Sequence, residues 1–453
     1  MSDDANRPES PTLPAEPAGA AADEPFNPPP WGVRWSVLLL VSLAMFGNYY
    51  AYDAIGPLAD TLQRLLGFTD TQIGTLNAIY SFPNVVMVLV GGIIVDRIGT
   101  RKSTLLFTVV CLVGTVVTAI SPSFPVMAFG RLLFGLGAES MIVAVTVVIG
   151  EWFVGRQLGF AFGLNLSLAR AGSYGADMSP TVAKPLYDAG WQQPLWLSAG
   201  IMAAALAMVV AYYLVDRWAD ARYDLARPAP PDRIVWGDLM RFDRSYWYVV
   251  GLCVTFYSVI FPFRSTFAIK YFQHAHHLSL EAAGQMNSYV FLAAIFATPA
   301  FGLLADKIGL RSLLMAGGSF LLFLTFPLLA HTQANLWIST AMLGVAFSLV
   351  PAILWPAVPY LVSANRLGTA YGLMTMLQNI GLFTFNLAAG GLNDWAGASA
   401  QNPGGYAPML WMFGILSLFG FVFAAALRKR ETGPDGHHLE RPKPRSKLID
   451  AAA

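Results

Sequence analysis

From Arg34 to Leu427 the chain is a succession of apolar runs separated by short polar breaks. A bilayer's hydrocarbon core is about 30 Å thick and takes roughly 20 residues of helix to cross, and about twelve runs of that size fit. They lie near 34–59, 72–95, 103–121, 125–150, 157–182, 193–215, 246–271, 280–305, 312–331, 336–362, 366–391 and 406–427. Of the 453 residues 55% are hydrophobic and only 12% charged, against about 25% charged in an ordinary soluble domain. The expectation is an all-α membrane protein with twelve transmembrane helices. A formal net charge of +1 implies neither nucleic acid nor acidic substrates as partners.

Lysine and arginine alternate between loops. One set of loops holds Arg97, Arg101, Lys102, Arg156, the six arginines from Arg217 to Arg244, Lys307, Arg311 and Arg366; the other holds little beyond Arg64 and Lys184. The first set, and both termini with it, is expected in the cytoplasm. Residues 1–30, rich in Pro, Ala and acidic groups, lack the pattern of a signal peptide and read as a disordered cytoplasmic tail, as do residues 431–453. The body repeats itself: "GGIIVDRIGTRKS" from Gly91 returns as "FGLLADKIGLRS" from Phe301, with Asp96 and Asp306 210 residues apart, and "LGFAFGL" from Leu158 returns as "LGTAYGL" from Leu367. Two six-helix bundles, 31–217 and 245–430, are therefore expected on either side of a cytoplasmic linker at 218–244 that contains "RPAPPDR". Such repeats place substrate sites near the bilayer midplane between the halves.

Gly-x-x-x-Asp-Arg/Lys-x-Gly-x-Arg follows the second span of each half. It comprises Gly92, Asp96, Arg97, Gly99 and Arg101, then Asp306, Lys307, Gly309 and Arg311. Gly92 is expected to allow close helix approach, Gly99 a tight turn, and Asp96 to accept hydrogen bonds from a helix N-terminus or an arginine. The duplicated motif resembles the signature loop of the major facilitator superfamily, and the resemblance implies a conformational latch.

"RLLFGLGAESMIVAV" puts Glu139 inside an apolar run, 14 residues below Pro125, or about 21 Å of helix. "NLSLARAGS" puts Arg170 13 residues above Gln157, about 20 Å up the adjacent antiparallel helix. An ionised group at that depth costs on the order of 3 kcal/mol, so it faces the bundle interior or a wet cavity and is functional by default. A structural salt bridge is the alternative, but the repeat places Ser348 and Asn379 at the matching positions of the second half, so the fold does not require the pair. A separated carboxylate and guanidinium suit a zwitterion: one takes an ammonium, the other grips a carboxylate with a bidentate fork.

Several stretches extend the resemblance: "YYAYD", "SFPNVV", "GRLLFGLGAES", "FAFGLNLSLARAGS", "YSVIFPF", "LWPAVPYLV" and "LGTAYGLMTMLQN". Together they are similar to the lysosomal dipeptide transporters of the superfamily, over all twelve spans. This implies a uniporter in which Glu139 takes the amino terminus of a dipeptide and Arg170 its carboxylate. Residues 1–30 hold no match to that family's acidic dileucine sorting signal, and nothing speaks to an accessory subunit. The Asn165 sequon lies within a span, where it cannot be glycosylated. The expected location is a bacterial inner membrane rather than a lysosomal one.

Further candidates lie in the same spans. Asp53 and Asp177, toward the outer ends of the first and fifth, are either proton carriers or second ammonium contacts, or else solvated structural carboxylates. Arg264 can bind a carboxylate from the second half, and Arg131 serves either conformational coupling or helix-to-helix hydrogen bonding. Tyr52, Asn287, Trp355, Gln378 and Asn379 stand at cavity depth, where substrate contact competes with helix packing. His274–His277 reads as a solvated loop rather than a metal site, and Cys111 and Cys253 as neither disulfide nor metal ligands. No phosphate loop, serine-nucleophile elbow or zinc-protease motif occurs, so neither an enzyme nor a cofactor is expected. The leading function is alternating-access transport of dipeptides or similar zwitterions, by uniport or with proton linkage. The alternatives are an organic-anion or other small-solute antiporter and a non-transporting receptor or scaffold.

Overall fold

The computed structural model describes residues 29–153, 157–223, 242–331, 335–363, 366–434 and 436–442. Most of the N-terminal tail, most of the 218–244 linker and residues 443–453 thus lie outside the described residues. The N-terminal half contains α1 (Trp31–Asp53), α2 (Ala59–Leu66), α3 (Asp70–Ile98), α4 (Thr100–Ile120), α5 (Phe124–Phe153), α6 (Leu158–Val182), the short α7 (Lys184–Asp188) and α8 (Gln192–Asp220). The C-terminal half contains α9 (Arg244–Phe261), α10 (Ala268–His276), α11 (Leu280–Ile308), α12 (Arg311–His331), α13 (Leu336–Leu361), α14 (Leu367–Trp395) and α15 (Ala407–Glu431). Among the described residues nine helical segments are long and apolar enough to cross a membrane, ten if the 55° bend in α3 is taken as part of one span. α6 and α14, 25 and 29 residues long, are more polar and run between the same two faces, which matches the expected twelve.

Local chemistry explains the breaks. Pro57, which has no N–H to continue a ladder, stands in a 3₁₀ turn that separates α1 from α2, and the first apolar segment runs on through that turn from Trp31 to Leu66, past the end expected for it at residue 59. Thr69 and Gln72 form a reciprocal capping box at the start of α3. Between α9 and α10, Pro262–Phe267 winds as a π-helix, which adds a residue to the turn and is frequent at functional sites. Asp243 caps α9 through the N–H of Ser245 and pairs with Arg430 at 2.6 Å. Partial burial raises its proton affinity, but these bonds outweigh it and hold the carboxyl below its usual pKa.

Within the first half α1 packs on α6 and α8, and α5 on α3 and α4; within the second α9 packs on α14 and α15, and α12 on α13 and α15. The halves meet through α3 against α14 and α6 against α11. Their contacts gather at the end where α1 finishes and α3 begins, here called the far side, opposite the face where α1 begins and α15 ends. There a Cβ on Gly74 would collide with the Asn386 carbonyl, and one on Gly56 would lie 2.7 Å from that of Ser265. Bare backbone at these points lets the halves close.

The motif loops sit on the face of the termini. Gly99 turns at φ 82° as expected. Gly92 has open space around it; the close approach belongs to its neighbour Gly91, where a Cβ would lie 2.7 Å from Ser140 Oγ. Asp96 is exposed and shows no hydrogen bond among the described residues, whereas Arg101 pairs with Asp216 and Asp220 at 2.8 and 2.9 Å. Arg97 and Lys307 are exposed. In the second loop Gly309 turns at φ 70° and the buried Arg311 pairs with Asp306 at 2.9 Å. Its Nη1 also donates to the carbonyls of Leu439 and Arg441. The stretch past Glu431, expected to be disordered, is thus in part docked: Leu439 is fully buried and Glu440 accepts the N–H of Ser312.

Arg131 is a staple. Nε donates to the Leu76 carbonyl, Nη1 to that of Ala51, and Nη2 to the Tyr52 carbonyl and to Asn77 Oδ1, at 2.7–3.1 Å. Of the two roles expected for it, helix-to-helix bonding is the one the geometry displays. Arg131→Ala should strand these acceptors and destabilise the protein by about 3 kcal/mol or more. A lowered melting temperature of the purified protein in detergent would show this, and an unchanged one would contradict it.

Candidate substrate site and the buried seal

Arg170 emerges from the middle of α6 and is only 7% exposed. Among the described residues its Nε and Nη1 have no hydrogen-bond partner. A buried guanidinium left in this state costs free energy that an incoming anion would recover. Glu139, half-buried on α5, accepts a hydrogen bond from Tyr80 Oη at 3.3 Å, and no ion pair joins it to Arg170 among the described residues. Among the described residues, then, each charge has something other than the opposite charge beside it: Tyr80 at Glu139 and the Phe347 ring at Arg170.

The C-terminal half supplies mostly aromatic surface at this level. Half-buried Trp355 donates from Nε1 to Tyr257 Oη at 2.8 Å and lies alongside Tyr371, ring centroids 6.0 Å apart. Phe261 bridges the halves, 5.7 Å from Tyr257 and 6.0 Å from Tyr52. Tyr52 is buried against Tyr80, at 4.7 Å. Gln378 accepts from the Cys253 thiol, and Asn379 is buried with Nδ2 on the Thr375 carbonyl and Oδ1 unbonded. Tyr257 and Tyr80 went unremarked in the sequence because a tyrosine in an apolar span looks like packing.

Four of the remaining candidates form a different cluster nearer the far side. Arg264 donates from Nη1 to Asp53 Oδ1 at 3.1 Å and from Nη2 to Asp177 Oδ2 at 2.7 Å, and Asn287 donates to the same Asp177 oxygen at 3.0 Å. Asp53 and Asp177 are each 1% exposed. They are not the solvated carboxylates allowed for at interfacial depth. Arg264 does bind carboxylates, and they come from the opposite half of the protein itself; Asn287 stands with them rather than with Arg170.

The same segment continues the pattern. Lys270 is buried against Asp70, and His274 Nε2 lies 2.9 Å from Asp60 while Tyr406 Oη lies 2.7 Å from its Nδ1. The expectation that His274 sits in a solvated loop is overturned: its acidic partner lies far away in sequence, on α2. Asn77 donates to the Ser265 carbonyl and to Thr266 Oγ1, which donates on to Asn386. Asp394 on α14 accepts the N–H groups of Asp70 and Thr71 at 2.8 Å each, completing a seal at the N-terminus of α3. Among the described residues no group of side chains suited to holding a metal ion occurs.

Arg264→Ala should leave two carboxylates buried without a counter-charge, a loss of about 3–5 kcal/mol to the closed arrangement. The far side should then open, and a cysteine introduced at Ala268 should react with a membrane-impermeant maleimide at least about tenfold faster than in the parent. Unchanged labelling would mean that the cluster does not hold the seal.

A sequence model of the Major Facilitator Superfamily matches residues 41–383 and 249–452. The chain is 33% identical over 387 residues to the lysosomal dipeptide transporter MFSD1 of Homo sapiens, covering 80% of this chain and 81% of that one. It is 23% identical over 371 residues to the probable sulfoacetate transporter SauU of Cupriavidus necator, with 75% and 83% covered. Among solved structures, a bacterial homologue of the human lysosomal transporter Spinster, inward-facing and unoccupied, superposes with a TM-score of 0.69 at 15% identity, covering 90% of this chain and all of that one.

Proposed function

The chain belongs to the major facilitator superfamily, and from that premise we propose that it carries dipeptides or similar small zwitterions by alternating access. As a multi-pass integral membrane transporter it needs a site reached from each face in turn. Arg170 takes the ligand's carboxylate and Glu139 its ammonium, with Tyr52, Trp355, Gln378 and Asn379 as further contacts. The observation that carries this reading is Arg170 itself, buried yet with two nitrogens unbonded. Likeness to the human dipeptide transporter supports the substrate class.

Transport is a uniport in this reading, and proton linkage would travel on Glu139, exchanging its proton as the ammonium arrives. Both termini lie in the cytoplasm by the bias of Lys and Arg among the loops. In this reading the sealed far side faces outward. The same reading takes the membrane to be a bacterial inner membrane rather than a lysosomal one, and the two motif loops to act as latches.

An organic-anion carrier is the second reading, favoured by the likeness to the probable sulfoacetate transporter. There Arg170 binds the anion, and Glu139 is only a counter-charge. Titrating the purified protein against dipeptides, end-blocked dipeptides and organic acids separates the two, because a ligand raises the melting temperature by mass action. Free dipeptides should raise it and doubly blocked ones should not. Arg170→Ala should abolish the response, and Glu139→Gln should weaken dipeptide affinity by about tenfold or more. Equal stabilisation by blocked peptides would defeat end recognition; indifference to Glu139→Gln with a response to organic acids would favour the anion reading.

A further inference from the structure

Against Arg170 lies an aromatic ring from the other half. The guanidinium carbon lies 4.6 Å from the ring centroid of Phe347 on α13. That ring is 3% exposed and packs edge-to-face on Phe291 of α11, with centroids 5.4 Å apart and planes at 83°. Phe291 in turn carries the guanidinium of Arg264 at 3.7 Å. Two arginines thus rest on one pair of phenylalanines. The first is the unbonded one of the substrate site; the second is bonded out to Asp53 and Asp177 in the seal.

A guanidinium has two chemically distinct surfaces. Its faces are weakly hydrated and settle on the negative face of an aromatic ring, while its N–H groups all lie in the plane and point outward from the edge. A ring that holds the face leaves the edge available, and only the edge can form the paired bonds that a carboxylate accepts. An aliphatic side chain of similar size would fill the space without that preference, and the guanidinium could turn toward backbone carbonyls instead.

We propose that Phe347 is a positioning residue of the substrate site: supplied by the opposite half, it holds Arg170 face-on so that the N–H edge is presented to a carboxylate, and selectivity for a free carboxyl terminus depends on that ring. The proposal rests on Arg170 being the carboxylate site. Because ring and arginine belong to different halves, the platform is tied to this relation between them. A carboxylate is therefore gripped differently when the halves rearrange, and that difference is what lets a ligand bias the equilibrium between access states.

The test uses the purified full chain, parent and Phe347→Leu and Phe347→Tyr variants, titrated with alanylalanine and with its C-terminal amide. Phe347→Leu should weaken alanylalanine by about five- to thirtyfold, the range of a desolvated cation–ring contact, and leave the amide unchanged, while Phe347→Tyr should bind both as the parent does. No loss, or equal loss for both ligands, would overturn the proposal. A ligand-free readout stands beside it: in a double-mutant cycle of Arg170→Met and Phe347→Leu, the effects on melting temperature should be non-additive, and additivity would overturn it whatever the ligand is. If the parent ignores alanylalanine while the cycle shows coupling, the dipeptide reading falls and the hold of Phe347 on Arg170 stands.

Discussion

Charges can sit in a membrane interior only when other charges or bonds answer them, and the arrangement of the two halves follows from how this is met. Arg264 and Lys270 lie along one segment of the C-terminal half and meet carboxylates from the N-terminal half, Asp53 with Asp177 and Asp70, while His274 on the same segment lies within hydrogen-bond reach of Asp60. Such pairs add little to stability compared with apolar packing, because desolvation offsets most of the attraction. What they do is make intermediate geometries costly. The groups are satisfied when fully closed, or when fully parted and wetted, and poorly served in between. That is the energetic profile of a two-state element, and a carrier that exposes its site to one face at a time requires one.

The backbone is adapted to this. The π-helical turn at Pro262–Phe267 places Arg264 within a locally widened coil between two regular helices, so the direction of its side chain is set independently of the α-helical register before it. The helices with polar interiors show the same division of labour. α6 and α14 are too polar to pass as membrane spans on hydropathy, and they carry Arg170 with Asp177 and Gln378 with Asn379 and Asn386 respectively. Each packs across the boundary between halves, α6 on α11 and α14 on α3. Their polarity is spent on the protein interior and not on lipid.

Much of this was legible in the sequence, and the parts that were not share a cause. Spans are visible because hydropathy is a local property, and the repeat because Asp96 and Asp306 recur in matching surroundings. Glu139 and Arg170 stand out because a charge in an apolar run must be answered by a partner or a wet cavity. The seal was hidden because its partners lie up to 324 residues apart, so that depth along a single helix made Asp53 and Asp177 look wet and the neighbours of His274 made it look solitary. Gly92 was singled out by the motif, yet the motif constrains the loop and not the helix face; which of two adjacent glycines meets α5 is decided by rotation about the α3 axis. Phe347 carried no signal at all, being one of 30 phenylalanines.

The short run from Gly436 to Pro442 gives the end of the chain a role that its composition does not suggest. Through backbone carbonyls it holds Arg311, a side chain 2% exposed, and through Glu440 it stoppers the first turn of α12. Trimming the polypeptide at the close of α15, as one might to rid a recombinant preparation of a ragged end, would bare that guanidinium and uncork the helix below it. A purification handle is better appended after Pro442 than substituted for what precedes it.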